Sequence, residues 1–395
     1  MDGPVICWRS PQAATGLPPR KLLPLLRAAV AAAPERRDLK LQLARVLFEA
    51  DLAAEIVERM RLAVADEGAD PELLYYVGRA AAATGDHKLA IDALRAAAAG
   101  GFDNAFTSLG ETLIAVDQID DAIDICQAGL RHSAGNFKCL AALARVLLLR
   151  RQPERLWQLC DELRAQGAWG GYFPAVLARA AESVGRTDVV AGLLDPGRWF
   201  SATRPVLPED FNANLAAEIL GHKALGALHS TKATRGTGTW IDHLELYGGP
   251  LSQRLIGVIR TAVENYLVDR LMLADEPMMK LRRKYAELHS WAQEVRGDGH
   301  QSDHIHPSGW ISGVYYVTVP TADANSPGEA GAIEFGLLSL GERNAAPRLA
   351  RWRVMPEPGM LLLFPSYYAH WTHATGVAHS RISVAFDIIP ADEAA

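Results

Sequence analysis

The segment from Asp303 to Trp310, DHIHPSGW, places two histidines two residues apart. Side chains alternate between the faces of a strand, so residues i and i+2 share one face. His304 and His306 can then converge on one metal, while Asp303 turns to the other face as a poorer ligand. A lone His-x-His is a weak signal, but a later segment reinforces it. There a Pro/Gly turn leads into an apolar strand ending at Phe364-Pro365-Ser366, His370 follows just beyond, and Arg381 opens another apolar strand. Two histidines from one strand and a third from a distant one can occupy one face of an octahedron. The open positions admit a bidentate cosubstrate and dioxygen, as a non-haem iron(II) oxygenase requires. A buried guanidinium pairs bidentately with a carboxylate, and Ser383, on the same face as Arg381, can donate a second hydrogen bond. His373, three residues after His370, is a rival candidate.

The elements that must position these groups read as short strands: Ala286–Val295, Ser302–His306, Ser312–Val319, Gly331–Phe335, Arg351–Met355, Met360–Phe364 and Arg381–Ile388. Turns at Pro307-Ser308-Gly309, Asn325–Gly328 and Pro356–Gly359 separate them, a spacing that predicts an antiparallel sandwich or barrel. Upstream, Phe211–Leu220 and Leu251–Leu271 read as amphipathic helices. Between them, Lys232–Leu244 is Gly/Thr-rich. It lacks the order of a phosphate loop and reads as a structured loop or entry strand beside the site.

The first half is different. It is rich in Ala, Leu and Arg, and of the chain's 12 histidines only His87 and His132 lie before residue 200. A small residue recurs within similar apolar hexads at Ala44, Gly78, Gly110, Ala144 and Ala178, a period near 34. Further small residues at Ala90, Ala97, Ala122 and Gly129 would let antiparallel helices approach closely. Turn signals stand at Thr84-Gly85-Asp86, Gln152-Pro153 and Gly185-Arg186, and Asp195-Pro196-Gly197 is a strong stop. Cys126 and Cys139 fall at helical core positions. Over residues 20–195 the pattern resembles the tetratricopeptide repeat, which implies a solenoid of helix pairs with a concave surface, either for protein or peptide docking or as an oligomerisation or scaffold arm.

Composition sets outer bounds. The chain has 395 residues, 49% hydrophobic and 22% charged, which excludes a mainly disordered protein. With 40 basic and 46 acidic residues the net charge is −6 and no basic run stands out, which argues against nucleic acid as a partner. Four scattered cysteines without a CxxC pair suit neither a disulfide framework nor a zinc knuckle. No signal sequence and no apolar run long enough for a membrane span is evident, so a cytoplasmic location is expected.

From about Trp291 to Ile389 the chain resembles the 2-oxoglutarate/Fe(II)-dependent dioxygenase superfamily, in its bacterial branch allied to prolyl hydroxylases. The matching pieces are HIHPSGWISGVYYV, GAIEF, PEPGMLLLFPS, His370 and RISVAFD. The resemblance implies a double-stranded β-helix, or jelly roll, with flanking helices. It implies Fe(II) and 2-oxoglutarate as cofactors, with His304 and His370 as first and distal ligands. Arg381 would bind the distal carboxylate of 2-oxoglutarate, supported by Tyr316. Ser312 shares strand parity with Tyr316 and is expected to face inward with it, so Arg381, Ser383, Tyr316 and Ser312 form the expected cosubstrate set. One departure stands out: the superfamily usually has Asp or Glu where this chain has His306. Three neutral imidazoles leave the site one unit more positive and suit zinc as well as iron(II).

The expected organisation is therefore a repeat domain over 1–195, a helical lead-in over 196–280 and an oxygenase core over 281–392. The implied reaction decarboxylates 2-oxoglutarate to succinate and hydroxylates a substrate C–H bond, with dioxygen as co-reactant and a protein or peptide delivered by the arm. No side chain is assigned a catalytic role beyond binding. Two rivals stay open at this point: a three-histidine metal enzyme that does not use 2-oxoglutarate, and an interaction scaffold with an inert oxygenase domain.

Overall fold

The computed structural model describes residues 6–9, 19–65, 68–133, 135–227, 233–320, 329–340, 350–376 and 380–392. By internal contact the chain forms two compact units. One runs from helix Pro19–Ala32 to Leu156, and the other runs from Trp157 onward and takes in the strand Cys7–Arg9. Among the described residues no helix is long and apolar enough to cross a membrane.

The first unit is a row of antiparallel helices, including Pro71–Ala83, His87–Ala99, Asp103–Ala115, Ile119–His132 and Phe137–Leu149. Three of these starts are capped by a side chain, as their sequences dictate. Asp70 accepts from the backbone N–H groups of Glu72 and Leu73, Asp86 from that of Leu89, and Asn136 from that of Cys139. Left-handed residues recur in the turns at Asp51, Gly85, Asp117 and Arg151, and again at Gly185 in the second unit, each at the same offset from the repeating small residue. The small residues do what their spacing implies. A Cβ on Gly110 would lie 2.5 Å from Cys126 Sγ, and one on Gly129 would lie 2.5 Å from Cys139 Sγ and 2.8 Å from Phe106 Cβ. Both cysteines are fully buried, so they pack the helix pairs, as expected. Helices Phe173–Ser183 and Thr187–Leu193 follow within the second unit.

The strands, in chain order, are β1 (Cys7–Arg9), β2 (Ser201–Thr203), β3 (Gly226–Ala227), β4 (Thr234–Asp242), β5 (Tyr285–Gln301), β6 (Ile311–Thr318), β7 (Ile333–Gly336), β8 (Trp352–Val354), β9 (Leu361–Pro365), β10 (Ala369–Thr372) and β11 (Arg381–Ala391). The larger sheet runs β2-β9-β6-β11-β5-β4-β3, with β1 added in parallel to β5. The smaller runs β10-β7-β8. An isolated bridge between His304 and His370 ties the loop before β6 to the small sheet. This is a curled, mixed-sheet jelly roll, whose central strand β11 is buried along most of its length because β5 and β6 flank it.

Two local expectations change. Ser302–His306 is not a strand, because only His304 makes a bridge, with the Pro307-Ser308-Gly309 turn following at once. His370 comes from a separate strand, β10, which pairs with β7 in register His370↔Phe335. The second amphipathic helix is Pro250–Val268, with a separate short turn at Leu271–Leu273. The Gly/Thr-rich segment is an entry strand, β4, hydrogen-bonded along β5, with Lys232 outside the described residues. The predicted Asn325–Gly328 turn also lies outside them.

Candidate metal centre and anion pocket

His304, His306 and His370 come together. Each offers a ligand nitrogen, and these atoms lie within 4.8 Å of one another. The ring centroids are 4.3 Å apart for His304 and His370, and 5.1 Å for each of the other pairs. The backbone sets the ring orientations. His304 Nδ1 lies 2.7 Å from the Ser302 carbonyl and His370 Nδ1 lies 2.9 Å from the Tyr368 carbonyl. A carbonyl can only accept, so both Nδ1 atoms donate outward and both Nε2 lone pairs are left for a metal. His306 Nδ1 lies 2.8 and 3.0 Å from the two oxygens of Asp387, while its Nε2 is buried with no hydrogen-bond partner.

Electrostatics favour neutral rings. Burial, helped by the neighbouring His306, pushes His304 down to about 3, and burial with the two other imidazoles holds His370 well below its ordinary range. Neutral, inward-facing imidazoles with an orphaned buried nitrogen fit a divalent transition metal. Phe364 packs edge-on to His370 at 5.0 Å, and Trp291 stacks on His306 at 5.6 Å. These rings make the surroundings apolar.

The same cavity is lined by Tyr316, Arg381 and Ser383 as well as His306 and His370. Arg381 is 2% exposed, and burial lowers its pKa from the ordinary value. Its guanidinium donates to the Gly331 carbonyl at 3.3 Å and to Thr372 Oγ1 at 3.1 Å. Among the described residues no carboxylate pairs with it. Tyr316, fully buried beside it, is pushed up to about 12 by burial, with Arg381 opposing. Ser383 accepts from Gln293 Nε2 at 3.3 Å. Its own proton is free to donate to an anion.

Ser312 belongs elsewhere. Its hydroxyl lies 2.8 Å from that of Ser366 and donates to Asp387 Oδ1 at 2.6 Å, behind His306 rather than toward Arg381. It shares parity with Tyr316 but sits a full turn of the pleat further along the strand. Asp387, Gln293 and Thr372 are site residues that the motif missed. Asp387 could have been found by extending the parity of Arg381 and Ser383 along β11.

The remaining candidates take structural places. His373 Nε2 is 2.7 Å from Glu334 Oε2, in an ionic knot with Arg351 and Arg353 outside the triad. Asp303 Oδ2 accepts from the Ser339 N–H, away from the metal face. Trp310 donates to the Met278 carbonyl, and Trp371 lies under Arg351. Phe335 and Phe364 are buried, as expected of core residues. His289 bonds Asp242 at 3.1 Å and His300 bonds the Asp298 carbonyl, while His379 lies outside the described residues. Most of the loops 326–330 and 341–350 also lie outside them.

Residues 289–387 match the model of a family described as "Putative 2OG-Fe(II) oxygenase". Among solved structures the chain is similar to a prolyl-4-hydroxylase from Pseudomonas putida, at 17% identity over 51% of this chain and 100% of that one, with a TM-score of 0.35. It is similar to the non-haem α-ketoglutarate-dependent epimerase SnoN of nogalamycin biosynthesis, at 16% identity over 53% and 84%, with a TM-score of 0.36. The helical repeats are similar to PilF of Pseudomonas aeruginosa, at 20% identity over 45% and 81%, with a TM-score of 0.37. No curated protein matches the chain.

Proposed function

We propose that this chain, whose C-terminal domain matches the 2-oxoglutarate/Fe(II) oxygenase family over residues 289–387, is a 2-oxoglutarate-dependent hydroxylase that uses iron(II) held by His304, His306 and His370. One observation carries the reading: a buried guanidinium, Arg381, lines the same cavity as the histidines and has no carboxylate partner among the described residues. An isolated buried charge is costly, so such a group is kept for an anion that arrives from outside. A dicarboxylate meets both demands, with one end on Arg381 and the other toward the imidazoles.

Arg381 and Ser383 bind the distal carboxylate, and Tyr316 supports it from the adjacent strand. Gln293 holds Ser383 in place. Trp291, Phe364 and the apolar wall exclude water. Iron(II), when bound, supplies the electrons that activate dioxygen. In the balanced reaction, substrate C–H, dioxygen and 2-oxoglutarate give C–OH, succinate and carbon dioxide. The helical repeats over 1–195 serve, in this reading, as the dock for a protein or peptide substrate, with 196–280 as lead-in and 281–392 as the core.

Anaerobic addition of Fe(II) and 2-oxoglutarate to the purified chain should produce a visible charge-transfer band, and oxygen should then release succinate. Iron demonstrably bound with neither band nor succinate would overturn the cosubstrate assignment and favour a three-histidine metal enzyme of another kind. A one-oxygen mass gain on a protein substrate, absent when only small metabolites are supplied, is the expected result for the docking role.

A further inference from the structure

We propose that Asp387 is a positioning residue for the metal, delivering through His306 the negative charge that an Asp or Glu ligand would bring directly. This rests on the triad reading and deepens it. A site of three neutral imidazoles has no anionic donor of its own. The structure supplies a carboxylate one atom shell out, with both oxygens within 3.0 Å of His306 Nδ1. Among the described residues, His306 is the only ion-pair partner of Asp387. With no lysine or arginine paired to it, this buried carboxylate is bonded to this one ring, and its field also reaches His304 and His289.

The arrangement around Asp387 is fixed from several directions. Ser312 Oγ donates to Oδ1 at 2.6 Å, which leaves Oδ2 less engaged. On the central strand, Asp387 pairs in register with Ser312 on one side and His289 on the other, so its backbone has little freedom. The turn after His306 presses against it: a Cβ on Gly309 would fall 2.5 Å from Ser366 Oγ and 3.3 Å from Asp387 Cγ. Trp291 stacks on the ring with planes 21° apart and fixes its tilt. With Nδ1 turned to the carboxylate, Nε2 is the nitrogen left to ligate a metal, and it is the atom that is buried without a partner. Carboxylate–histidine–metal relays of this kind fix the tautomer and raise the donor strength of the imidazole. Removing the outer carboxylate typically lowers metal affinity about 10- to 100-fold.

The test is anaerobic calorimetry of the metal-free full chain with Fe(II) and, separately, Co(II). Wild type should bind one equivalent at the triad and His370→Ala should abolish it; failure of either result overturns the triad reading and this proposal with it. Asp387→Asn keeps an acceptor for the Nδ1 proton but removes the charge, and affinity should fall about 10-fold or more. In the His306→Asp background, where the charge is supplied directly, the same Asp387→Asn change should weaken binding by less than about threefold. That cancellation separates charge delivery from packing. Where Asp387→Asn does not fold by near-ultraviolet circular dichroism, Ser312→Ala, which loosens the carboxylate but retains it, should weaken binding several-fold. Wild-type affinity in Asp387→Asn, or in Ser312→Ala where that variant stands in, with His370→Ala still null, would overturn the role of Asp387 and leave the triad standing.

Discussion

Arg381→Met is the substitution that tests the cosubstrate pocket most directly, because the variant keeps most of the volume and removes the charge together with its hydrogen-bond donors. In the ligand-free protein the guanidinium is buried and its pKa is lowered by that burial, so the native state carries an uncompensated desolvation cost. Methionine relieves that cost while leaving the Gly331 carbonyl without its guanidinium donor and Thr372 Oγ1 with only the Gln301 N–H. The two effects oppose, and replacement of a buried charge by an apolar side chain is often neutral or stabilising. The ligand-free variant should therefore unfold within about 1 kcal/mol of wild type. With ligand the effects no longer offset. Two charge-assisted hydrogen bonds to a carboxylate, at about 1.5–3 kcal/mol each, give about 3–6 kcal/mol. At about 1.4 kcal/mol per decade, Kd for 2-oxoglutarate should rise by about two to four orders of magnitude. Thermal unfolding with Co(II) in place of iron reads both quantities without turnover. At about 100 times its Kd the cosubstrate should stabilise wild type by about 2.7 kcal/mol, and the same concentration should stabilise the variant by no more than about 0.4 kcal/mol. The reasoning fails if 2-oxoglutarate shifts the variant as far as wild type. It also fails if the ligand-free variant is strongly destabilised, since Arg381 would then be an internal structural ion.

Three further outcomes follow from the structure. His304→Ala should lose the stabilisation that Co(II) gives to wild type, and retention of the full metal-induced shift would remove His304 from the ligand set. In the metal-free protein, His304, held at about 3, and His370, held well below 6.5, take up protons in the unfolded chain before the folded one, so stability should fall as pH drops below about 6.5. Each contributes up to about 1.4 kcal/mol per pH unit. For His289 burial is the largest influence and lowers its pKa, but the hydrogen bond to Asp242 with the charges of Asp242, Glu245 and Asp387 together raise it overall, so it adds stability that is fully present below its ordinary pKa. Glu334, held at about 2 by Arg351 and His373 despite burial, extends the decline below about pH 4.5. A urea midpoint that rises between about pH 7 and about pH 5 would refute this account. In the repeat arm, Gly129→Val puts new carbon against Cys139 and Phe106 and should cost about 1–3 kcal/mol, partly recovered by Cys139→Ala. Unchanged stability would mean that the helices are not held at that spacing.

The arm and the triad were legible for different reasons. Helical repeats are local: the small residues at Gly78, Gly110 and Ala144 and the turn residues seven positions on carry their meaning within one helix pair. Arg381 and Ser383 were legible because a period of two assigns faces along a strand without knowledge of its partner, whereas His304 and His306 converge although that segment makes only an isolated bridge at His304. Partners are what the pattern withheld. Thr372 holds Arg381 only because β10 turns back after Tyr367-Tyr368 and aligns with β7, a pairing that no local signal marks. Parity gave Ser312 and Tyr316 one face, yet four residues at about 3.4 Å each separate them by about 13 Å along β6. One of them ends beside Asp387 and the other beside Arg381, because β11 runs antiparallel against them with Asp387↔Ser312 and Ser383↔Tyr316 in register. The single row of inward residues on β11 therefore has two working ends. Asp387 faces the ring that would hold the metal, and Arg381 faces the space that would hold the far carboxylate. The length of strand between them, rather than any one motif, sets which anion can reach both.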